Sequence, residues 1–163
     1  MSEERGKRAP FVVEWRDGFT INIPSVDEQH KHLFELVKAL STKTVEATID
    51  ELLDYVVVHF THEQELMEAS GYPGFADHLK LHEDFGSTVA DFLGRSDEWS
   101  DERVHELRRF LNKWLIGHIL THDLRFGNWY RHNQGATAWT SAAPTKGPAD
   151  RKPGWFNRLF ARR

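Results

Sequence analysis

Residues 75–92 read FADHLKLHEDFGSTVADF. Phe75, His78, His82, Phe85, Val89 and Phe92 recur in steps of three and four. That is the period of one face of an α-helix. Pro73 stands just before the segment and Gly94 just after it, the punctuation of a helix with defined ends. Two positions on this otherwise apolar face are histidines one turn apart, so both imidazoles leave the same side and can converge on one point. The segment therefore predicts a helix packed inside a helical bundle, and a core that carries chemistry.

Three more stripes of the same kind surround it. Helix A is expected after Pro24, with Ser25 and Glu28 as a capping box and Val26, His30, Leu33, Val37 and Leu40 on its inner face. Helix B is expected from about Thr48, with Glu51 as capping partner, to Gly71. Its stripe is Leu52, Val56, His59, Glu63, Leu66. Helix D is expected after Ser100 and runs to about His132, with Val104, Leu107, Leu111, Trp114 or Leu115, and His118 inward. An arm precedes them from Phe11 to Pro24, holding Trp15, Phe19 and Ile21, with a turn at Asp17-Gly18. Short connections favour an all-α, up-and-down antiparallel four-helix bundle.

Histidine interrupts all four stripes, and helix B adds Glu63 one turn after His59. Five imidazoles and a carboxylate facing one core would each need a partner, at roughly 1–3 kcal/mol for every buried polar group left unpaired. Metal removes that cost, because neutral imidazoles and carboxylates become ligands. Asp123 is a seventh candidate. It lies about 140° around an ideal helix from His118, off the common face. The stripe, however, resumes as Asp123, Phe126, Tyr130, one residue out of phase. A local π-type bulge would bring both inward. His122, at the i+4 position, competes with Asp123, and spacing alone leaves the two open.

The set His30, His59, Glu63, His78, His82, His118 and Asp123 exceeds what one octahedral ion can use, so two ions are expected. Imidazole with carboxylate suits iron, and also zinc, copper or nickel. If both carboxylates and one solvent oxygen (oxo or hydroxo) bridge the pair, five histidines divide three and two. One metal is then saturated and the other keeps an open position for a small ligand.

Composition narrows the classes. The chain has 163 residues, enough for one domain with a real core, with 39% hydrophobic and 28% charged residues, ten His and no Cys. Disulfide scaffolds, iron–sulfur clusters and thiol catalysis are excluded. No apolar run approaches the roughly 18 residues of a membrane span, and the polar N-terminus has no secretory character. Residues 1–133 carry a net charge of −9 and residues 134–163 one of +5. The reading is a domain over 1–133, a flexible linker over 134–153 and a short basic amphipathic tail over 154–163. The net formal charge of −4 speaks against nucleic acid as a partner. His62-Glu63 begins a zincin-like string, but Leu66 stands where that motif needs His. No nucleophile triad or phosphate loop is present.

The segments VDEQHKHLFEL, HFTHEQELM, HLKLH and WLIGHILTHD resemble the hemerythrin family, in particular its single-domain bacterial members. The likeness runs over roughly residues 12–132, including the Trp15 arm, with His, HxxxE, HxxxH and HxxxxD in order. The resemblance selects Asp123 over His122. It implies a non-haem di-iron centre that binds O₂ reversibly. His78, His82 and His118 would hold the saturated iron, His30 and His59 the open one, with Glu63 and Asp123 bridging. Trp114, Leu115 and Ile119 match the apolar wall of the O₂ pocket. Gln64 and Leu124 depart from residues common in the family, at positions that are not ligands. His62 and His122 are expected to face solvent, and His32, His105 and His132 to lie on the surface.

The function that follows is O₂ storage, transport or buffering by a cytoplasmic protein that is not an enzyme. The alternatives are an O₂ or redox sensor docking through its tail, and a nitric oxide or peroxide scavenger. In the tail, Trp155, Phe156, Leu159 and Phe160 share one helical face among basic residues. That fits weak docking at an acidic protein groove or an anionic membrane, which would make the protein peripheral to the inner membrane face.

Overall fold

The structure is a computed structural model and describes residues 13–134. The tail, Phe11 and the linker beyond Gln134 lie outside the described residues, and Gln134 itself ends the last helix rather than beginning the linker. The described chain is all-helical: α1 (Pro24–Ala39), α2 (Val45–Ser70), α3 (Phe75–Leu93), α4 (Asp101–His118), a π-helical segment (Ile119–Asp123) and α5 (Leu124–Gln134). Residues His118, Ile119 and Leu124 keep right-handed helical dihedrals, so α4, the π segment and α5 form one continuous helix. The architecture is an up-and-down antiparallel four-helix bundle.

Each helix has an identifiable start and stop. Pro24 occupies the first turn of α1, where its missing N–H costs nothing. The expected Ser25–Glu28 capping box does not form. Glu28 pairs with Lys31 at 2.6 Å, and the Ser25 hydroxyl is 3.0 Å from His62 Nε2. Asp27 holds the helix entrance instead, accepting the Ile21 N–H at 2.9 Å. Helix α2 begins a turn earlier than expected, at Val45, so Thr48 and Glu51 lie inside it and cap nothing. It ends in a Schellman motif. Gly71 takes φ 69°, its N–H donates to Glu68 O at 3.1 Å, and the Tyr72 N–H donates to Met67 O at 2.9 Å. Ser100 caps α4, its Oγ accepting from the Arg103 N–H at 3.1 Å.

The stripes face inward, with Phe75 and Phe92 only half-buried at the two ends of α3. Leu66 is half-buried and Met67 fills the core in its place. The arm turns through a 3₁₀ segment (Asp17–Phe19) and lays Trp15 and Phe19 against Phe34, at 6.1 and 5.4 Å between ring centroids. Ile21 is wholly buried against α5 at Gly127, where an added Cβ would be driven into the Ile21 carbonyl oxygen. Glycine is required there for close approach, not for its dihedral freedom.

Candidate metal centre

Four helices deliver seven buried donors to one level of the bundle. His30 comes from α1, His59 and Glu63 from α2, His78 and His82 from α3, His118 from the end of α4 and Asp123 from the π segment. His30, His82, Glu63 and Asp123 are fully excluded from solvent, and none of the seven is more than 5% exposed. The π segment moves Asp123 inward while His122 stays half-buried at the edge. The expected bulge is present, and Asp123 rather than His122 joins the cluster.

The donors form two overlapping groups. In the first, the Nε2 atoms of His78, His82 and His118 make a triangle with all three edges at 3.1 Å. Glu63 Oε2 lies 3.3 Å from His78 Nε2, and Asp123 Oδ1 lies 3.0 Å from His118 Nε2. Donor atoms from these five residues all lie within 4.8 Å of one another. The second group is His30, His59 and Asp123, with Asp123 Oδ2 3.1 Å from His30 Nε2. Asp123 thus belongs to both groups, one oxygen to each. Glu63 turns Oε2 to the three-histidine group, while its Oε1 is buried and unbonded.

This arrangement fits metal and fits nothing else in the bundle. His30 Nε2, Glu63 Oε1 and both Asp123 oxygens are sealed from water with no hydrogen bond of acceptable geometry. Carboxylates left so would cost several kcal/mol. Three imidazole nitrogens facing one another cannot all be satisfied by shared protons. A triangle of this size lets one cation touch all three at about 2.1 Å.

The electrostatics of the metal-free cluster show the same tension. Burial, reinforced by His30, drives His59 well below the ordinary histidine range; burial with His118 and His78 does the same to His82. Burial and the neighbouring Asp123 charge push Glu63 up. Burial opposes the charge on His78, but Asp123 and Glu63 outweigh it and raise the ring to about 9. Burial also opposes the Asp123 carboxylate, yet His118, His30 and His78 hold it well below the carboxylate range.

A second layer braces the rings. Gln29 Oε1 lies 3.0 Å from His59 Nδ1, and the Gln64 side-chain amide lies 3.2 Å from His82 Nδ1. At His59, Nδ1 donates to the Gln29 oxygen; at His82 the Gln64 amide nitrogen faces Nδ1, and the amide would turn its oxygen to that ring once Nε2 holds a metal and Nδ1 carries the proton. Sequence reasoning missed both residues as partners, although each adjoins a candidate ligand. Phe60 stacks flat on His82 at 3.6 Å, and Trp114 on His118 at 4.3 Å. Trp114 therefore sits on the three-histidine side, while Leu115 and Ile119 are buried in the core. His62 is a correction. It is only 8% exposed and bonded to Ser25, because it lies on the α1-facing side of α2 rather than in solvent. His122 is half-buried, its ring 5.4 Å from that of His118. His32, His105 and His132 are exposed, as expected.

Fold and site together define a metal-binding four-helix bundle. Residues 22–130 match the family described as the Hemerythrin HHE cation binding domain. A bacteriohemerythrin of Stenotrophomonas maltophilia is 35% identical over 124 residues, covering 72% of this chain and 80% of the relative. A myohemerythrin of Theromyzon tessulatum is 30% identical over 118 residues, covering 72% and 92%. A crystal structure of a leucine-to-phenylalanine mutant superposes with a TM-score of 0.63 at 27% identity, covering 73% of this chain and 97% of that one. The chain belongs to the hemerythrin family.

Proposed function

We propose that the chain binds O₂ reversibly at a non-haem di-iron centre and serves to store, carry or buffer it. The observation that carries this reading is the division of five imidazoles into three and two about a shared Asp123. His78, His82 and His118 would hold one iron and His30 and His59 the other, with Asp123 and Glu63 between them. When bound, the iron pair supplies the electrons and the vacant position that O₂ requires. Everything else falls to the protein. With three imidazoles against two, the His30–His59 side would be the one left with room for a small ligand. Leu115 and Ile119 are buried and would form the apolar wall that keeps water out there, with Trp114 bracing His118 on the far side. A donor set of five neutral imidazoles and two carboxylates brings less negative charge than the Glu-rich ferritin-like set. That favours holding a small ligand over driving oxidations, so the reading is a binding protein rather than an enzyme.

Metal analysis with visible spectra of the reduced protein before and after air tests the proposal. Two irons per chain and a colourless form that colours in air and bleaches under vacuum are expected. A single metal, or zinc at full occupancy from iron-replete cells, would refute it. For residues 154–163 we propose weak docking at an anionic membrane surface, each basic residue adding about 1 kcal/mol. Full-length protein should sediment with anionic vesicles at low salt while the 1–133 truncation does not, and the truncation should keep its iron. Equal sedimentation would remove the docking role.

A further inference from the structure

The two sides of the centre differ in how they meet the surface. His118 lines a cleft of about 410 Å³ between α3 and α4, and His78 lines one of about 760 Å³ between the start of α3 and α5. Neither cleft is lined by His30 or His59. Those two rings are at most 1% exposed, and the arm sets Trp15 6.5 Å from His30 between ring centroids. An outside molecule can therefore approach the three-histidine side without entering the side kept for O₂.

The smaller cleft offers more than access. Leu81, Phe110 and Trp114 give it apolar walls, Lys113 stands exposed at its rim, and among the described residues no carboxylate lines it. Its volume and its two aromatic side chains suit a planar aromatic molecule. Trp114 also stacks on His118, at 4.3 Å between centroids and 14° between planes. One conjugated ring thus joins the cleft to a candidate ligand. The larger cleft has no such ring. The rings beside His78 are those of His82, His118 and His122, and Asp77 and Asp84 balance Lys80 and Arg125 along its walls. Electrons tunnel, and conjugated rings in contact carry them better than an empty gap of the same width.

We infer that the smaller cleft is where electrons enter the centre. A planar aromatic one-electron donor seats against Phe110 and Trp114, and the electron passes by way of Trp114 and His118. The inference rests on the di-iron reading proposed above: a pair that supplies electrons to O₂ is inert once oxidised, until a donor restores them. Each ferric ion takes one electron, so two donor molecules are oxidised by one electron each for every chain reduced. No bond forms or breaks in Trp114 or His118, and no atom passes from donor to protein.

The test uses full-length, iron-loaded, air-oxidised protein, with photoreduced riboflavin as the donor and O₂ excluded. Gly117 lines the cleft, and a Cβ there would meet nothing within 4 Å, so Gly117→Leu fills the space without a clash. Lys80→Trp narrows the other cleft and serves as the control. Reduction followed by stopped flow should slow at least tenfold in Gly117→Leu and stay within twofold in Lys80→Trp. Quenching of oxidised riboflavin fluorescence should show binding at least tenfold weaker in Gly117→Leu. Trp114→Leu should slow reduction at least tenfold at an unchanged midpoint potential, and Trp114→Phe should restore part of the rate. A ring that only braced His118 would move the potential or the iron content instead. If Gly117→Leu sheds iron, the Trp114 pair decides. A two-iron chain whose reduction is unchanged by these substitutions, or slows only in Lys80→Trp, overturns this inference alone. A chain without two irons overturns the proposed function and this inference with it.

Discussion

Asp123 reaches both groups of the cluster, with His30 on one oxygen and His78 and His118 on the other. Glu63 touches His78 and His82 through one oxygen alone. Substituting either carboxylate should release metal. We expect Asp123→Ala and Glu63→Ala to lose iron or O₂ binding and His122→Ala to keep both irons, read as iron per chain. Loss of iron from His122→Ala but not from Asp123→Ala would mean that the wrong residue was assigned. Gln64→Leu should leave His82 unbraced and cost 10- to 100-fold in metal affinity, measured by competition with a chelator. The five clustered histidines were legible because each interrupts an apolar stripe with helical period. His62 was not legible, since its position off the stripe reads as solvent until the packing of α1 against α2 is known. The glutamines were silent for a similar reason. A carboxamide next to a ligand has no meaning until the ring beside it has an orientation.

At the scale of elements, helix existence and the starts of α1, α3 and α4 were clear in the sequence, while the start of α2 and the capping of α1 were not. Ser25 and Glu28 have the spacing of a capping box, but His62 takes the serine and Lys31 takes the glutamate. Tertiary partners outbid a local motif, and no side chain caps α1, whose entrance Asp27 fastens by accepting the Ile21 N–H. The arm shows how tightly the elements fit. At Gly127 there is no room for a methyl group beneath Ile21. Gly127→Ala should destabilise the protein by about 1–3 kcal/mol in urea unfolding. Gly18→Ala, where a Cβ would meet nothing within 4 Å, should stay within about 0.5 kcal/mol. Equal effects would mean that the arm is not locked against α5.

For the molecule as a whole, folding and metal binding are coupled. Metal held by these donors would bind the folded chain and not the unfolded one, so metal-free protein should melt at a lower temperature than metal-loaded protein. Its stability should also depend on pH in a definite sense. His59 and His82 are held neutral in the fold below their ordinary value of 6.5, whereas the unfolded chain protonates both. Acidification below that value therefore favours unfolding, by about 1.4 kcal/mol per pH unit for each ring. Glu63, raised by burial, takes up at most one proton in the fold and offsets one ring. At the alkaline side, the contribution of His78 is complete below 6.5 and fades as pH rises through about 9. Thermal melts of metal-free protein from pH 5 to 10 should thus peak in the middle of the range. A melting temperature that rises steadily on acidification would contradict these shifts. Three histidines against two was foreseeable from an odd number of ligands. The identity of the shared carboxylate came only through the family resemblance, because spacing alone left Asp123 and His122 open and packing decides which of them the π segment turns inward.

The π segment works like an inserted letter in a reading frame. In an unbroken α-helix continuing from His118, the residues brought round to the bundle interior would be His122, Arg125 and Trp129. One surplus residue rotates that set outward and brings Asp123, Phe126 and Tyr130 in. The inward turn of the Asp123 carboxylate and the outward turn of the Arg125 guanidinium are therefore products of the same extra residue, and deleting one residue from the π segment would exchange them.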